Sequence, residues 1–254
     1  MSTYIESGHA KNTANFDHLI ALLLTYGTNY TPSTANLAIT NLQTVLTNAQ
    51  GALTTVKNEY NGWKNATNSR EIAFEPLKGL STRLLNTLIA VGANEQTIKD
   101  YKTLNAKVQG SKLTKADSGI VADPSEDNAN KTTLPVKKTV SVSQQSFDNL
   151  IEHYDKIIKL LASVPAYNPT ETALKVATLQ TLLANLKTVN TAAYTSYAKV
   201  SNARIARNKI LYENPDALIV LAKAVKAYIK GKFGATSAEY SQVSAIKFVK
   251  VVKK

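Results

Sequence analysis

Residues 30–70 read YTPSTANLAITNLQTVLTNAQGALTTVKNEYNGWKNATNSR, and residues 167–207 read YNPTETALKVATLQTLLANLKTVNTAAYTSYAKVSNARIAR. Set side by side at an offset of 137, the two stretches agree at 13 positions without a gap. Among these are Tyr30 with Tyr167, Pro32 with Pro169, Leu42-Gln43-Thr44 with Leu179-Gln180-Thr181, Tyr60 with Tyr197, Asn65-Ala66 with Asn202-Ala203, and Arg70 with Arg207. Repetition on this scale constrains the fold more than local propensity does. Within the first stretch the apolar positions run Leu42, Leu46, Ala49, Leu53, Val56, Tyr60, Trp63, alternating steps of four and three. The second runs Leu179, Leu183, Leu186, Asn190, Ala193, Tyr197, Val200, with one polar interruption. A period of 3.5 residues held this long is the seam of a coiled-coil-like helix.

Outward from this core, Ser33 and Thr170 each follow a Tyr-x-Pro turn and read as helix N-caps. The next prolines are Pro76 and Pro215, so each helix can run about 40 residues, roughly 60 Å. The pattern predicts helices over 14–27, 34–73, 77–91 and 94–107, and again over 146–162, 171–212, 216–231 and 237–246. Phe16-Asp17-His18-Leu19-Ile20 resembles Phe147-Asp148-Asn149-Leu150-Ile151, and Gly92-Ala93 resembles Gly234-Ala235. The expected fold is all-α: two tandem repeats of a four-helix unit, each with one long helix in an antiparallel bundle. The repeats are placed at 1–110 and 141–254. The segment 111–140, with Asp123-Pro124-Ser125-Glu126-Asp127-Asn128 and Leu134-Pro135, reads as a flexible acidic linker. Thr and Asn on the long helices lower their propensity, so packing must hold them.

Asn68-Ser69-Arg70-Glu71-Ile72-Ala73-Phe74-Glu75-Pro76-Leu77-Lys78 and Ser201-Asn202-Ala203-Arg204-Ile205-Ala206-Arg207-Asn208 resemble landmarks of a family of uncharacterised, internally duplicated helical proteins from flavobacteria and related bacteria. So do Val164-Pro165-Ala166-Tyr167-Asn168-Pro169-Thr170-Glu171 and Gly234-Ala235-Thr236-Ser237. The resemblance implies a bacterial source and the duplicated architecture. It implies no activity, cofactor or site residue.

A chain of 254 residues with 44% hydrophobic content has ample core for folding. The apolar runs at 19–24 and 217–225 are far short of the ~20 residues that cross a bilayer. Met1-Ser2-Thr3-Tyr4-Ile5-Glu6 has neither a basic n-region nor an apolar h-region, so a cytoplasmic location is expected, with signal-independent export left open. With no cysteine, disulfides and thiolate chemistry are excluded.

The residues offer little chemistry. His9, His18 and His153 lack partners at ligand spacing; Glu152, His153 and Asp155 share one helical turn without a second ligand at i+4. No nucleophile elbow or phosphate-cradling glycine motif occurs, Lys230-Gly231-Lys232 being the nearest approach. No catalytic residue, metal or other cofactor is therefore expected. Arg70 and Arg207 extend the seam, either as structural ion pairs with Glu71, Glu75 or Glu213 or as an anion-binding arginine repeated in each half. Tyr60 and Tyr197 read as core residues of the seam, and Asn65 and Asn202 as matched structural positions.

Charge is the strongest functional signal. The net charge is +12, and residues 199–254 hold 12 basic residues against Glu213, Asp216 and Glu239. Lys223, Lys226 and Lys230 fall on one face of the helix after Pro215, followed by Lys232, Lys247, Lys250, Lys253 and Lys254. With Arg204 and Arg207 they form a candidate surface for phosphate backbones, or simply a solvated face. The leading expectation is a non-enzymatic scaffold or interaction protein with a protein partner or self-association. The second is a nucleic-acid-associated protein that binds non-specifically through 199–254, and the third a peripheral membrane-interacting protein.

Overall fold

The computed structural model describes residues 7–110 and 145–251. Every regular element among them is a helix: α1 (Ser7–Thr25), α2 (Ile39–Phe74), α3 (Leu77–Ala90), α4 (Glu95–Gln109), α5 (Phe147–Ala162), α6 (Val176–Asn208), α7 (Leu218–Phe233) and α8 (Ala238–Ala245). None is long and apolar enough to cross a membrane. The segment 111–140, Lys253 and Lys254 lie outside the described residues.

Both long helices start later than their pattern predicts, at Ile39 and Val176 rather than at 34 and 171. Tyr30 donates its hydroxyl hydrogen to the Leu37 carbonyl at 2.7 Å, and Tyr167 donates to the Leu174 carbonyl at 2.9 Å. Each bond spans seven residues and closes a loop around a 3₁₀ turn, Ala35–Leu37 in one case and Thr172–Leu174 in the other. Ser33 and Thr170 are therefore outside the helices they were expected to cap, and the Thr170 hydroxyl donates instead to the Glu171 carboxylate at 3.3 Å. Burial raises both tyrosine hydroxyls, that of Tyr167 to about 12, so they stay protonated donors.

The far ends differ. α2 stops at Phe74, two residues before Pro76. α6 stops at Asn208 and continues as a five-residue π-helical turn, Lys209–Glu213, closed by the Asn214 amide donating to the Lys209 carbonyl at 3.0 Å. That turn buries Leu211 completely.

The chain forms two compact units. The first comprises Met1–Lys64 and Thr195–Lys254, the second Asn65–Tyr194. The first unit's core joins Phe16, Leu19 and Leu23 of α1 and Leu42 of α2 to Leu211 and to Leu218, Val225 and Ile229 of α7. The second joins Leu77, Leu84 and Leu88 of α3 and Tyr101 of α4 to Tyr154, Ile157 and Leu161 of α5 and Leu179 and Leu186 of α6. This grouping crosses the division at 111–140, because each unit combines elements from before and after that segment.

Burial in α1 and in α5 follows one pattern at a fixed offset. Phe16, Leu19, Ile20 and Leu23 show the same burial as Tyr154, Ile157, Ile158 and Leu161, an offset of 138. Thr25 donates to the Leu22 carbonyl at 2.6 Å as Ser163 donates to Leu160 at 2.7 Å, again at 138. The Phe16–Ile20 and Phe147–Ile151 likeness has an offset of 131, seven residues from this one. A heptad-patterned helix resembles itself after two turns, so both offsets set apolar positions against apolar positions.

Candidate functional site

The seam tyrosines are surface residues, contrary to the core role expected for them. Tyr60 is 40% exposed and Tyr197 55% exposed. Both lean on the half-buried Trp63, with ring centroids 5.6 Å and 5.7 Å from it, in tilted, edge-type contacts. The first unit therefore carries a three-ring row on the adjoining stretches of α2 and α6. Asn65 and Asn202 are also exposed.

Arg70 does not form the ion pair with Glu71 or Glu75 expected of it. Its guanidinium lies 4.0 Å above the Phe147 ring and donates from Nη1 to Asn190 Oδ1 at 3.3 Å. Asn190 in turn donates from Nδ2 to Asp148 Oδ1 at 2.8 Å, and the Tyr194 hydroxyl donates to Asp148 Oδ2 at 2.7 Å. The bond to Asp148 raises the Tyr194 hydroxyl above its usual range. The carboxylate is present, one amide further away, so Arg70 serves packing within the second unit. Arg207 is fully buried in the first unit, where Nε and Nη2 both donate to Asn208 Oδ1, at 3.2 and 2.9 Å. A side chain so enclosed offers no surface to an external anion, which corrects its place among the anion-binding candidates. Arg204 is half-buried.

The basic face is smaller than the sequence suggests. Lys223, Lys230, Lys232, Lys247 and Lys250 are exposed. Lys226 is not available to a ligand: its ammonium donates to the Ile246 carbonyl and, at 3.5 Å, to the Ser244 carbonyl, and lies 5.3 Å from the Phe248 ring centroid. Burial, with Lys247 nearby, lowers its pKa. Lys232 donates to Thr31 Oγ1 at 3.1 Å, and Lys230 lies 5.6 Å from the Tyr240 ring.

The segment that Lys226 holds contributes Lys247 and Lys250 to the expected basic face, and its backbone forms a contact that the charge pattern does not anticipate. After α8, residues 246–251 run without helix along α1. Asn12 meets the backbone of Val249 with both ends of its amide: Nδ2 donates to the Val249 carbonyl at 2.7 Å, and Oδ1 accepts from the Val249 amide at 3.1 Å. One turn later Asn15 donates to the Lys247 carbonyl at 2.6 Å. Tyr212, from the π-helical turn, steadies Asn12: its hydroxyl oxygen accepts from Asn12 Nδ2 at 3.2 Å and lies 2.7 Å from His9 Nδ1. Phe248 packs edge-on against Phe16 at 6.5 Å, and Ile246 is buried. Gly8 completes the seat, since a Cβ there would come within 2.8 Å of Val251 Cγ2. The sequence signal was faint: His9, Asn12 and Thr13 are polar residues on the buried face of a helix whose other buried positions are apolar.

Among the described residues no group of three His, Asp or Glu side chains could hold a metal ion. Glu152 and Asp155 instead pair with Lys156 at 2.5 Å and Lys159 at 2.6 Å. A shallow hollow in the first unit is lined by Val45, Asn48, Ile210, Asn214 and Asp216, which brings together no nucleophile and base. Set against known proteins, the chain matches no family model, no curated protein and no solved structure.

Proposed function

We infer that the chain is a non-enzymatic helical scaffold that acts by self-association, built from two copies of one module whose elements are exchanged. The observation carrying this is the row Tyr60–Trp63–Tyr197, where matched seam positions present aromatic rings to solvent instead of filling a core. Exposed aromatic rings of this kind are enriched at protein interfaces. The duplication is supported by the paired tyrosine-closed turns at an offset of 137 and the paired burial of α1 and α5 at 138. Sedimentation velocity over a concentration series tests the reading. The wild type is expected to form a discrete oligomer, and Y60S/Y197S to sediment as a monomer with an unchanged unfolding midpoint. A wild type that stays monomeric at every concentration overturns it.

A second reading has its own support. The segments of the first unit carry 15 basic and 6 acidic residues, against 15 and 12 in the second, and five lysines of the candidate face are exposed. Each phosphate neutralised on duplex DNA contributes about −0.9 to the slope of log affinity against log salt. If all five lysines engage, the slope approaches about −4.5. Absence of binding to a random duplex at low salt removes this reading.

A further inference from the structure

We propose that the groove between α1 and α7 is a peptide-binding site that reads the backbone of an extended segment, and that residues 246–251 occupy it in cis as a displaceable pseudo-ligand. Its ligand class is an extended partner peptide with the apolar–x–aromatic pattern of Ile246-Lys247-Phe248. The proposal deepens the scaffold reading by naming a partner class, and it rests on a different face from the aromatic row.

The argument starts with the asparagine amide. One end donates and the other accepts, in the spacing of a peptide unit's own carbonyl and amide. An amide meeting both backbone groups of a single residue therefore reproduces a strand pairing without a strand, and it reads no side chain. Asn12 does this at Val249. Asn15, three residues on and so on the same face of α1, takes the Lys247 carbonyl. From the opposite wall Lys226 takes the Ile246 carbonyl. Three carbonyls and one amide of an extended chain are thus held by three side chains of the groove. Chain identity enters through Ile246, which is buried, through Phe248 against Phe16, and through Val251 over Gly8.

The groove is also organised from behind. Tyr212 accepts from Asn12 Nδ2, and its hydroxyl lies within hydrogen-bond distance of His9 Nδ1, so the Asn12 amide is held by groups outside the peptide. His9 and Asn12 place polar groups on the buried face of a core helix, where burial is costly unless they are hydrogen-bonded, and their partners are Tyr212 and the backbone of Val249. The cis occupant is held lightly, since Val249 is 65% exposed and Lys247 and Lys250 face solvent. Short segments with little buried apolar area open locally at low free energy.

The test uses a fluorescent peptide with the sequence of residues 244–254 and reads anisotropy. Against the intact chain its binding is weak, because the groove is filled. Against the full-length I246A/F248A chain, whose own segment is loosened, binding is expected to tighten at least about tenfold. Two controls separate backbone reading from charge and apolarity. The same peptide N-methylated at the Val249 position keeps its charge and loses the hydrogen that Asn12 accepts. It is expected to bind about tenfold more weakly, the equivalent of one lost hydrogen bond. Adding Asn12→Leu to the loosened chain has the same effect. Equal binding of the methylated and parent peptides overturns the proposal, as does no tightening in a loosened chain that keeps its helical circular dichroism.

Should the loosened chain not fold, amide exchange in the intact protein decides. The Val249 amide is expected to exchange about a hundredfold faster than that of Leu23 in the α1 core. Equal protection means the segment never leaves, and the proposal fails. Peptide binding that fails while the wild type still oligomerises sinks this site and leaves the scaffold reading standing.

Discussion

Asn190 occupies the position at which the first long helix carries Leu53, and in the sequence it is a break in an apolar seam. It is only 4% exposed, and it bridges Arg70 to Asp148. Replacing it with alanine removes both of these bonds to charged groups, Asp148 keeping only that from Tyr194, so N190A is expected to destabilise the fold by about 1–3 kcal/mol in urea unfolding. A change below a few tenths would mean that water replaces the amide. The break was visible in the sequence and its purpose was not, because Asp148 is 42 residues away and reaches Asn190 only through packing. His153 illustrates a second residue effect. Burial first, then the Lys107 charge, lowers its pKa below 6.5, with Lys156 adding to this and Glu152 opposing it. The unfolded chain therefore takes up the proton first as pH falls. Stability from this group is complete above about pH 6.5 and declines as pH drops through that value toward the lower folded pKa. H153Q is expected to flatten this part of the profile of unfolding free energy against pH, and an unchanged slope would exclude His153 as the source.

At the scale of elements, the 3.5-residue period predicts both long helices correctly in kind and overruns their starts by five residues. The cause is local chemistry that periodicity does not encode, a tyrosine hydroxyl seeking a carbonyl seven residues on. Y30F and Y167F each leave a buried carbonyl without that donor. Each is expected to lower stability by about 1 kcal/mol, by similar amounts in thermal unfolding, since the two turns share one geometry. A large effect at one position and none at the other would argue that the turns are not equivalent. The lysines of α7 and the segment after it were legible as charge but not as contacts. Whether an ammonium meets solvent or a carbonyl depends on where the next segment runs, and no spacing rule fixes the path of 246–251 over α1.

For the whole molecule, the sequence offers a likeness at an offset of 137, whereas the grouping of its elements into units is not legible in it. An offset comparison pairs residues by likeness; it does not show which late helices close on which early ones. The units observed, 1–64 with 195–254 and 65–194, make a fragment prediction possible. Separate fragments 1–110 and 141–254 each lack part of both units. Alone, each is expected to give weak helical circular dichroism and no cooperative melt, and mixing them is expected to restore both. Two fragments that melt cooperatively by themselves would instead support independent tandem domains.

The same interleaving sets an order on synthesis. The second unit's residues are all synthesised, and all emerge, before the first unit's closing half, so 65–194 can condense ahead of it. Phe16, Leu19, Leu23 and Leu42 must meanwhile wait, uncovered, until α7 emerges with Leu218, Val225 and Ile229. During that interval the nascent chain displays an apolar helix face with no mate. A chaperone that engages stalled chains should therefore cross-link to α1, and release it once residue 229 has cleared the exit tunnel.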